Sequence, residues 1–290
     1  MHGAVTSPAT VRRLWSLGEP FHALTYFADE ARTAAEAAGL PGFWSGYFAM
    51  RAAPLGPVGP AVVTATFASF APGFVARWVP AVWDAVSPAD ALAARLAGVD
   101  AAARRALGDW PGSADAQEAA TLAGRAAAAV DVPGRPLAAA NAELPWPEAP
   151  HLVLWQALTT LREHRGEGHL AALLQRELLG LPGLVLAAAG GATAADWLQK
   201  ARGWSPEAWA AMTDQLTQRG LLADGQLTAG GLAVRAAVEA DTDRLARHPW
   251  AALGDSGCDR LAELLAPVRR AVVAAGEWPA HNPIGAPEPD

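Results

Sequence analysis

The stretch SPEAWAAMTDQLTQRGLLADGQLTAGGL, residues 205–232, decides the fold. Ser205 and Pro206 mark a helix start, because serine caps the first turn and proline is favoured at the first helical position. The Asp-Gly pair at 224–225 is typical of a tight hairpin turn. A short helical pattern at 194–201 precedes the stretch and another helix follows it. This order of helix, turn, capped helix, hairpin and helix predicts a winged helix-turn-helix.

The remainder of the chain is dominated by helical patterns. The predicted fold class is therefore mostly α, with two helical halves and a short β-hairpin wing in the second. Residues 7–40 predict two helices, the second beginning near Pro20. The proline-containing stretch ELPWPEAPH at 143–151 is the best candidate for a linker. It divides the chain into an N-terminal helical domain, 1–145, and a winged-helix-like C-terminal domain, 146–290.

Composition limits the class of protein. Of the 290 residues, 52% are hydrophobic and 18% charged, which fits a globular interior. The net charge of −7 provides no general attraction to nucleic acids or anionic membranes. The single cysteine, Cys258, excludes an internal disulfide. Because the start lacks a signal-peptide core and no apolar stretch could span a bilayer, we expect a cytoplasmic protein without membrane contact.

The C-terminal pattern resembles the winged-helix domains of MarR-like regulators, in which a "GL" helix ending, a hairpin wing and an "LT-x-x-G" helix start follow in this order. Nearly the whole chain resembles an actinobacterial family of helix-turn-helix-containing proteins of unknown function. The segments that carry this resemblance are HALTYFADEA (22–31), GFWSGYFAMRAAPLGPVG (42–59), GRPLAAAN (134–141), LREHRGEGHLAAL (161–173) and HPWAALG (248–254). The resemblance implies a fold and no specific activity.

The predicted helix-turn-helix, 193–219, is electrically neutral. A DNA reader needs basic side chains for the phosphates and hydrogen-bonding groups for base edges. Three acidic residues here balance three basic ones: Asp196, Glu207 and Asp214 against Lys200, Arg202 and Arg219. This balance favours a scaffold and argues against DNA binding. The alternative is a MarR-like, ligand-responsive regulator whose DNA contacts come from Arg202, Gln215, Gln218 and Arg219.

The segment EHRGEGH, residues 163–169, has the densest group of chemically useful side chains, and we call it the polar island. Its glycines predict a helix break with helices on either side. Its side chains can form a structural network, a small-molecule or catalytic site, or a metal site. As a catalytic site it would use His164 or His169 as the acid–base group, with Glu167 beside them. The metal-ligand candidates are His164, His169 and His22, and no cofactor can be named.

A predicted interdomain cavity connects the polar island to the N-terminal half. Arg51 lies in an apolar stretch, so a buried Arg51 would need Glu30, Glu163 or Glu167 as its partner. Aromatic residues of the same segment would form an apolar wall. The predicted ligand-binding residues are His22, Tyr26, Tyr47, Arg51 and Arg165, with Arg51 or Arg165 also able to stabilise an anion.

The leading hypothesis is binding, and potentially conversion, of a small apolar or aromatic molecule in this cavity, with the winged helix as scaffold. The regulator described above is the alternative. A protein that sequesters a ligand without turnover is a third possibility. The sequence is compatible with a homodimer.

Overall fold

A computed structural model describes residues 6–191, 193–279 and 284. The prediction that the start of the chain is not a signal peptide falls partly on residues 1–5, which lie outside the described residues. Within the described residues the fold is α-helical, with one two-stranded antiparallel sheet. The predicted fold class, mostly α with a short hairpin, is therefore confirmed.

The N-terminal part consists of short helices around a long first one. They are α1 (Pro8–His22), α2 (Leu24–Phe27), α3 (Asp29–Ala37), α4 (Gly42–Ala52), α5 (Pro60–Thr66), α6 (Pro72–Trp78) and α7 (Ala81–Ala85). Prolines at the first turns of α5 and α6 explain why this aromatic segment is divided into short pieces.

The middle of the chain supplies three long helices of the core and one short one. The long helices are α8 (Pro88–Leu107), α9 (Ala114–Ala127) and α11 (Pro150–Leu174), and the short one is α10 (Pro136–Ala142). The C-terminal part contains α12 (Leu181–Ala189), α13 (Ala195–Ala201), α14 (Pro206–Gln218), β1 (Leu222–Ala223), β2 (Gln226–Leu227), α15 (Ala229–Leu245) and α16 (Gly254–Ala274).

Helix α1 does not end where the sequence predicted. It continues through Pro20 to His22, so the predicted helix start near Pro20 is wrong. A proline inside a helix leaves the carbonyl four residues earlier without its usual donor. Here that carbonyl belongs to Ser16, and it accepts a hydrogen bond of 3.3 Å from Arg269 Nε of α16. A distant side chain therefore replaces the missing backbone donor.

Helix α11 runs unbroken through the polar island, so the predicted helix break is wrong. Gly166 and Gly168 are both helical. A Cβ added at Gly168 would lie 3.1 Å from Leu245 Cβ and 3.1 Å from Arg135 Nη1. Gly168 is therefore required for close packing of α15 and of the loop before α10 rather than for ending a helix.

The helix-turn-helix and hairpin have the predicted order. Ser205 caps α14 by accepting from Ala208 N at 3.1 Å, and Thr228 caps α15 in the same way. In the hairpin, Leu222 pairs with Leu227. Asp224 and Gly225 both have positive φ, as a tight turn between these two strands requires.

Three hydrophobic clusters form the interior. The first joins residues of α1, α8, α9, α11 and α16, and thus draws on both sides of the predicted boundary at 145/146. The second is the aromatic cluster of α4–α7, and the third lies among α11, α12, α14 and α15. The two-domain division stays a prediction. Among the described residues, no helix is long and apolar enough to cross a bilayer.

Replacing Gly168 with alanine is expected to lower the melting temperature, because the new methyl group crowds Leu245 and Arg135. Gly166→Ala is the matched control, since its Cβ would find its nearest neighbour only at 3.8 Å. The control should gain up to about 1 kcal/mol from helix propensity. Thermal unfolding of both variants checks this, and equal behaviour would contradict the packing role of Gly168.

Candidate functional site

The exposed surface of the helix-turn-helix is one side of α14 and the hairpin. Leu216 is buried in the third cluster, and Trp209 and Met212 pack against it, so the other side of α14 faces outward. The exposed positions of this helix are Pro206, Glu207, Ala210, Ala211, Asp214, Gln215, Thr217 and Gln218. The hairpin residues 223–226 are exposed as well.

The three cations near α14 differ in their exposure. Arg202 is partly buried, with its guanidinium carbon 4.6 Å from the centre of the Phe70 ring, and burial lowers its pKa. Arg219 and Lys200 are exposed at either end of the motif. Arg219 donates to the carbonyls of Arg176 and Glu177 at 3.2 and 3.3 Å. Of the four predicted DNA contacts, Gln215, Gln218 and Arg219 are therefore at the surface, whereas Arg202 is not free.

The turn between α13 and α14 is docked on the aromatic cluster. Ala71 N donates to Arg202 O at 2.9 Å, and Trp204 Nε1 donates to Ser69 O at 3.0 Å. Between these bonds, Gly203 has a φ of +71°, and a Cβ there would lie 2.4 Å from the side chain of Phe74. The docked turn fixes the orientation of α14 relative to the N-terminal half.

Glu163 is the centre of a buried ion-pair network. Arg51 donates to both carboxylate oxygens, Nε to Oε1 at 3.1 Å and Nη2 to Oε2 at 3.0 Å. Arg162 Nη1 adds a bond of 2.8 Å to Oε1. Burial alone would raise the pKa of Glu163, but the two guanidiniums lower it to about 2. The sequence predicted a carboxylate for Arg51 from three candidates, and the partner is Glu163.

His164 and Glu167 hold the segment before α10. His164 Nε2 lies 2.6 Å from Asp131 Oδ1. Burial, followed by the charge of Arg135, lowers the pKa of His164 to about 4 despite this carboxylate. Glu167 accepts from the first amides of α10, Leu137 N at 2.8 Å and Ala138 N at 2.9 Å. Two of the three predicted catalytic side chains, His164 and Glu167, therefore make structural contacts.

Arg165 and His169 face α15. Arg165 Nη2 donates to Asp243 Oδ1 at 2.9 Å, and its guanidinium carbon lies 3.9 Å from the centre of the Trp15 ring. His169 Nδ1 lies 2.9 Å from Thr242 Oγ1, and burial lowers the pKa of His169. Among the described residues, no group of three His, Cys, Asp or Glu side chains could hold a metal ion.

Four of the five predicted ligand-binding residues do lie together. Thr159 Oγ1 donates to Trp155 O, so it accepts from His22 Nδ1 at 3.0 Å. This leaves His22 Nε2 to accept from Tyr26 OH at 3.4 Å. The Tyr26 and Tyr47 rings are 5.3 Å apart, and Tyr47 OH accepts from Arg51 Nη1 at 2.7 Å. His164, Glu167, His169 and Arg165 lie outside this group.

Two small spaces border these residues. One is lined by His22, Tyr26, Arg51, Arg95, Asn141 and Glu163, among others, and we call it the Arg95 cavity. The other lies between α1 and α11, where Arg162 and Arg165 line it. Each has room for one or two water molecules. A planar aromatic ligand would fit only if side chains moved.

Two further residues of this region are not among the predicted site residues. Arg95 of α8 is 6% exposed and donates to Met50 O at 3.1 Å. The sequence did contain a signal for the burial of Arg95. This residue falls on the same helical stripe as Ala91 and Ala102, which are buried. Asn141 is 2% exposed; the sequence left open whether it satisfies backbone groups or lines a pocket.

Stability should fall as the pH drops from about 6.5 to about 4, in part through His164. Its pKa is about 4 in the folded protein and about 6.5 when unfolded, so the unfolded chain binds the extra proton in this window. The contribution of His164 is present above pH 6.5 and is lost as the pH falls. It is about 3 kcal/mol, because each pKa unit between the two values corresponds to about 1.4 kcal/mol.

Urea unfolding at several pH values measures this effect. His164→Gln keeps a donor for Asp131 and should show a weaker loss of stability between pH 6.5 and 4 than the unmodified protein. Gln117→Ala, at an exposed position on α9 away from these groups, provides the control variant. Identical pH profiles for His164→Gln and the unmodified protein would contradict the prediction.

Comparison with known proteins identifies the family. A family model described as a helix-turn-helix family matches residues 11–279, which is most of the chain. The prediction against DNA binding is therefore wrong: it rested on the charge of residues 193–219, whereas the family match points to a DNA-binding protein. No curated protein and no solved structure matches the chain. The chain belongs to the helix-turn-helix family.

Proposed function

We propose that the protein is a DNA-binding regulator that uses α14 and the β1–β2 hairpin to read duplex DNA. The observation that carries this proposal is the outward-facing side of α14 in a chain of the helix-turn-helix family. Gln215 and Gln218 can pair with adenine edges in the major groove, and Ala210 and Ala211 can contact thymine methyl groups. The resemblance of the hairpin region to MarR-like domains supports a role for it as the wing.

The charge distribution limits how such a protein would bind. The exposed side of α14 has two carboxylates, Glu207 and Asp214, and its own described residues include no cation. Lys200 and Arg219 flank it, so few phosphates would be neutralised. Each phosphate contact adds about 0.9 to the slope of log affinity against log salt. We therefore expect a shallow salt dependence and a larger share of affinity from base contacts.

A contact chain supports a ligand-responsive form of this regulator. Arg51 bonds Tyr47, whose ring centre lies 5.5 Å from that of Phe70. Phe70 in turn packs on Arg202 in the turn before α14. A conformational change at the Glu163 ion-pair network would thus be transmitted to the helix-turn-helix through Tyr47, Phe70 and Arg202. A regulatory role also fits the cytoplasmic location that the sequence predicts.

Selection from random duplex DNA followed by fluorescence anisotropy tests the proposal. We expect a preferred sequence, and Gln218→Ala should weaken binding to it roughly tenfold, since one bidentate base contact is worth about 1–3 kcal/mol. Gln117→Ala is the matched control, because Gln117 is an exposed glutamine on α9. Titrations at two salt concentrations check the shallow slope.

Two outcomes would overturn this proposal. One is the absence of sequence-preferring binding to any selected DNA. The other is an equal loss of affinity in the Gln218 and Gln117 variants, since that result would remove α14 as the reading element.

A further inference from the structure

Arg77 is an isolated cation of the N-terminal half that lies close to the helix-turn-helix. It is the only basic residue between Arg51 and Arg95 in the sequence. It belongs to α6 and is exposed to solvent. Its guanidinium carbon lies 5.9 Å from the centre of the Phe74 ring. The Phe74 side chain also packs directly on Gly203, in the turn between α13 and α14. One aromatic side chain therefore separates Arg77 from the turn that precedes α14.

Two hydrogen bonds hold α6 against this turn. Ala71 N donates to Arg202 O at 2.9 Å, and Trp204 Nε1 donates to Ser69 O at 3.0 Å. Ala71 immediately precedes the first residue of α6, so these bonds fix the start of that helix relative to the turn. A side chain on the second turn of α6, such as that of Arg77, therefore has a defined position relative to α14.

The cations of the helix-turn-helix itself are largely engaged with other groups. Lys200 Nζ lies 3.9 Å from Asp196 Oδ2. Arg202 is packed on an aromatic ring, and Arg219 donates to two backbone carbonyls. Within the part of the chain that the structure describes, Arg77 makes no hydrogen bond and no ion pair. Its five N–H donors are therefore available to an anion from outside the protein.

The two ends of α14 have different needs in a major groove. A helix in this groove lies between the phosphates of the two strands, which flank a width of about 12 Å. With 13 residues, α14 is about 20 Å long, so its ends approach both rows of phosphates. Arg219 lies at the C-terminal end. The first turn carries Glu207, which repels phosphates, so a cation for the N-terminal end must come from another element.

We propose that Arg77 binds a backbone phosphate of duplex DNA when α14 enters the major groove. This inference rests on the proposed DNA-binding function. A guanidinium pairs with phosphate through two parallel hydrogen bonds. The Phe74 ring beside Arg77 favours a limited range of guanidinium positions. The contact fixes the orientation of the protein on the duplex and reads no base. The DNA-binding surface thus combines a reading helix from the C-terminal half with a phosphate contact from the N-terminal half.

Fluorescence anisotropy with the full chain tests this contact. The titrations use the best duplex from the selection and an unrelated duplex of the same length, at several salt concentrations. Arg77→Gln should weaken binding to both duplexes by a similar factor, roughly fivefold, and lower the slope of log affinity against log salt by about 0.9. Arg77→Lys keeps the charge and should restore the slope. Arg270→Gln, at an exposed arginine on α16, is the matched control and should change neither quantity.

The variant Gln218→Ala separates phosphate binding from base reading. It should reduce the preference for the selected duplex and leave the salt slope unchanged, whereas Arg77→Gln should lower the slope and keep the preference. Because Arg77 is exposed, we expect its replacement to leave the melting temperature nearly unchanged. Thermal unfolding of the same samples checks that the loss of affinity is not a loss of folded protein.

The outcomes distinguish this contact from the proposed function. Sequence-preferring binding with the same slope in Arg77→Gln as in the unmodified protein would overturn the phosphate contact and keep the regulator. The contact is also overturned if Arg77→Lys loses as much slope as Arg77→Gln. Binding without sequence preference, with a slope that falls in Arg77→Gln alone, would support the contact and overturn base reading by α14. If neither duplex binds, both proposals are wrong.

Discussion

The bidentate ion pair between Arg51 and Glu163 is the contact on which much of the interior depends. It places a charged side chain of α4 against the buried middle of α11. A buried carboxylate of this kind is tolerated only when it is fully paired, because its desolvation is costly. Arg162, Glu19 and Tyr47 extend the pairing on both sides. Through Tyr47 the same network supports the aromatic cluster against which the turn between α13 and α14 packs.

The parts of the fold that could be predicted are those coded by neighbouring residues. Ser205 and Pro206 start α14, and Asp224 and Gly225 close the hairpin, because capping and turn formation depend on only a few adjacent residues. The structure of the polar island could not be predicted from neighbouring residues in this way. Its glycines were interpreted as a helix break, whereas Gly168 serves contacts made with residues tens of positions away.

The candidate site was predictable only where residue type restricted the choice of partner. Arg51 in an apolar stretch required a carboxylate, and Glu163 was among the three candidates. The helical stripe of Ala91 and Ala102 could have indicated the burial of Arg95, whereas nothing local distinguished Asn141 from a surface residue. The helix-turn-helix does contain equal numbers of acidic and basic residues, but this count does not show which of them are exposed to solvent. It gave Arg202 the same weight as Lys200, although the first is packed on Phe70 and the second is exposed.

The hydrogen bond from Arg269 to the Ser16 carbonyl has a consequence for the order of folding. The two residues are 253 positions apart, and the bond compensates for the proline inside the first helix. During synthesis α1 leaves the ribosome long before α16 exists. Until then it lacks both this donor and the apolar surface of α16 on which it packs. The N-terminal segment must therefore remain incompletely packed, and this part of the native core can form only after α16 has been synthesised.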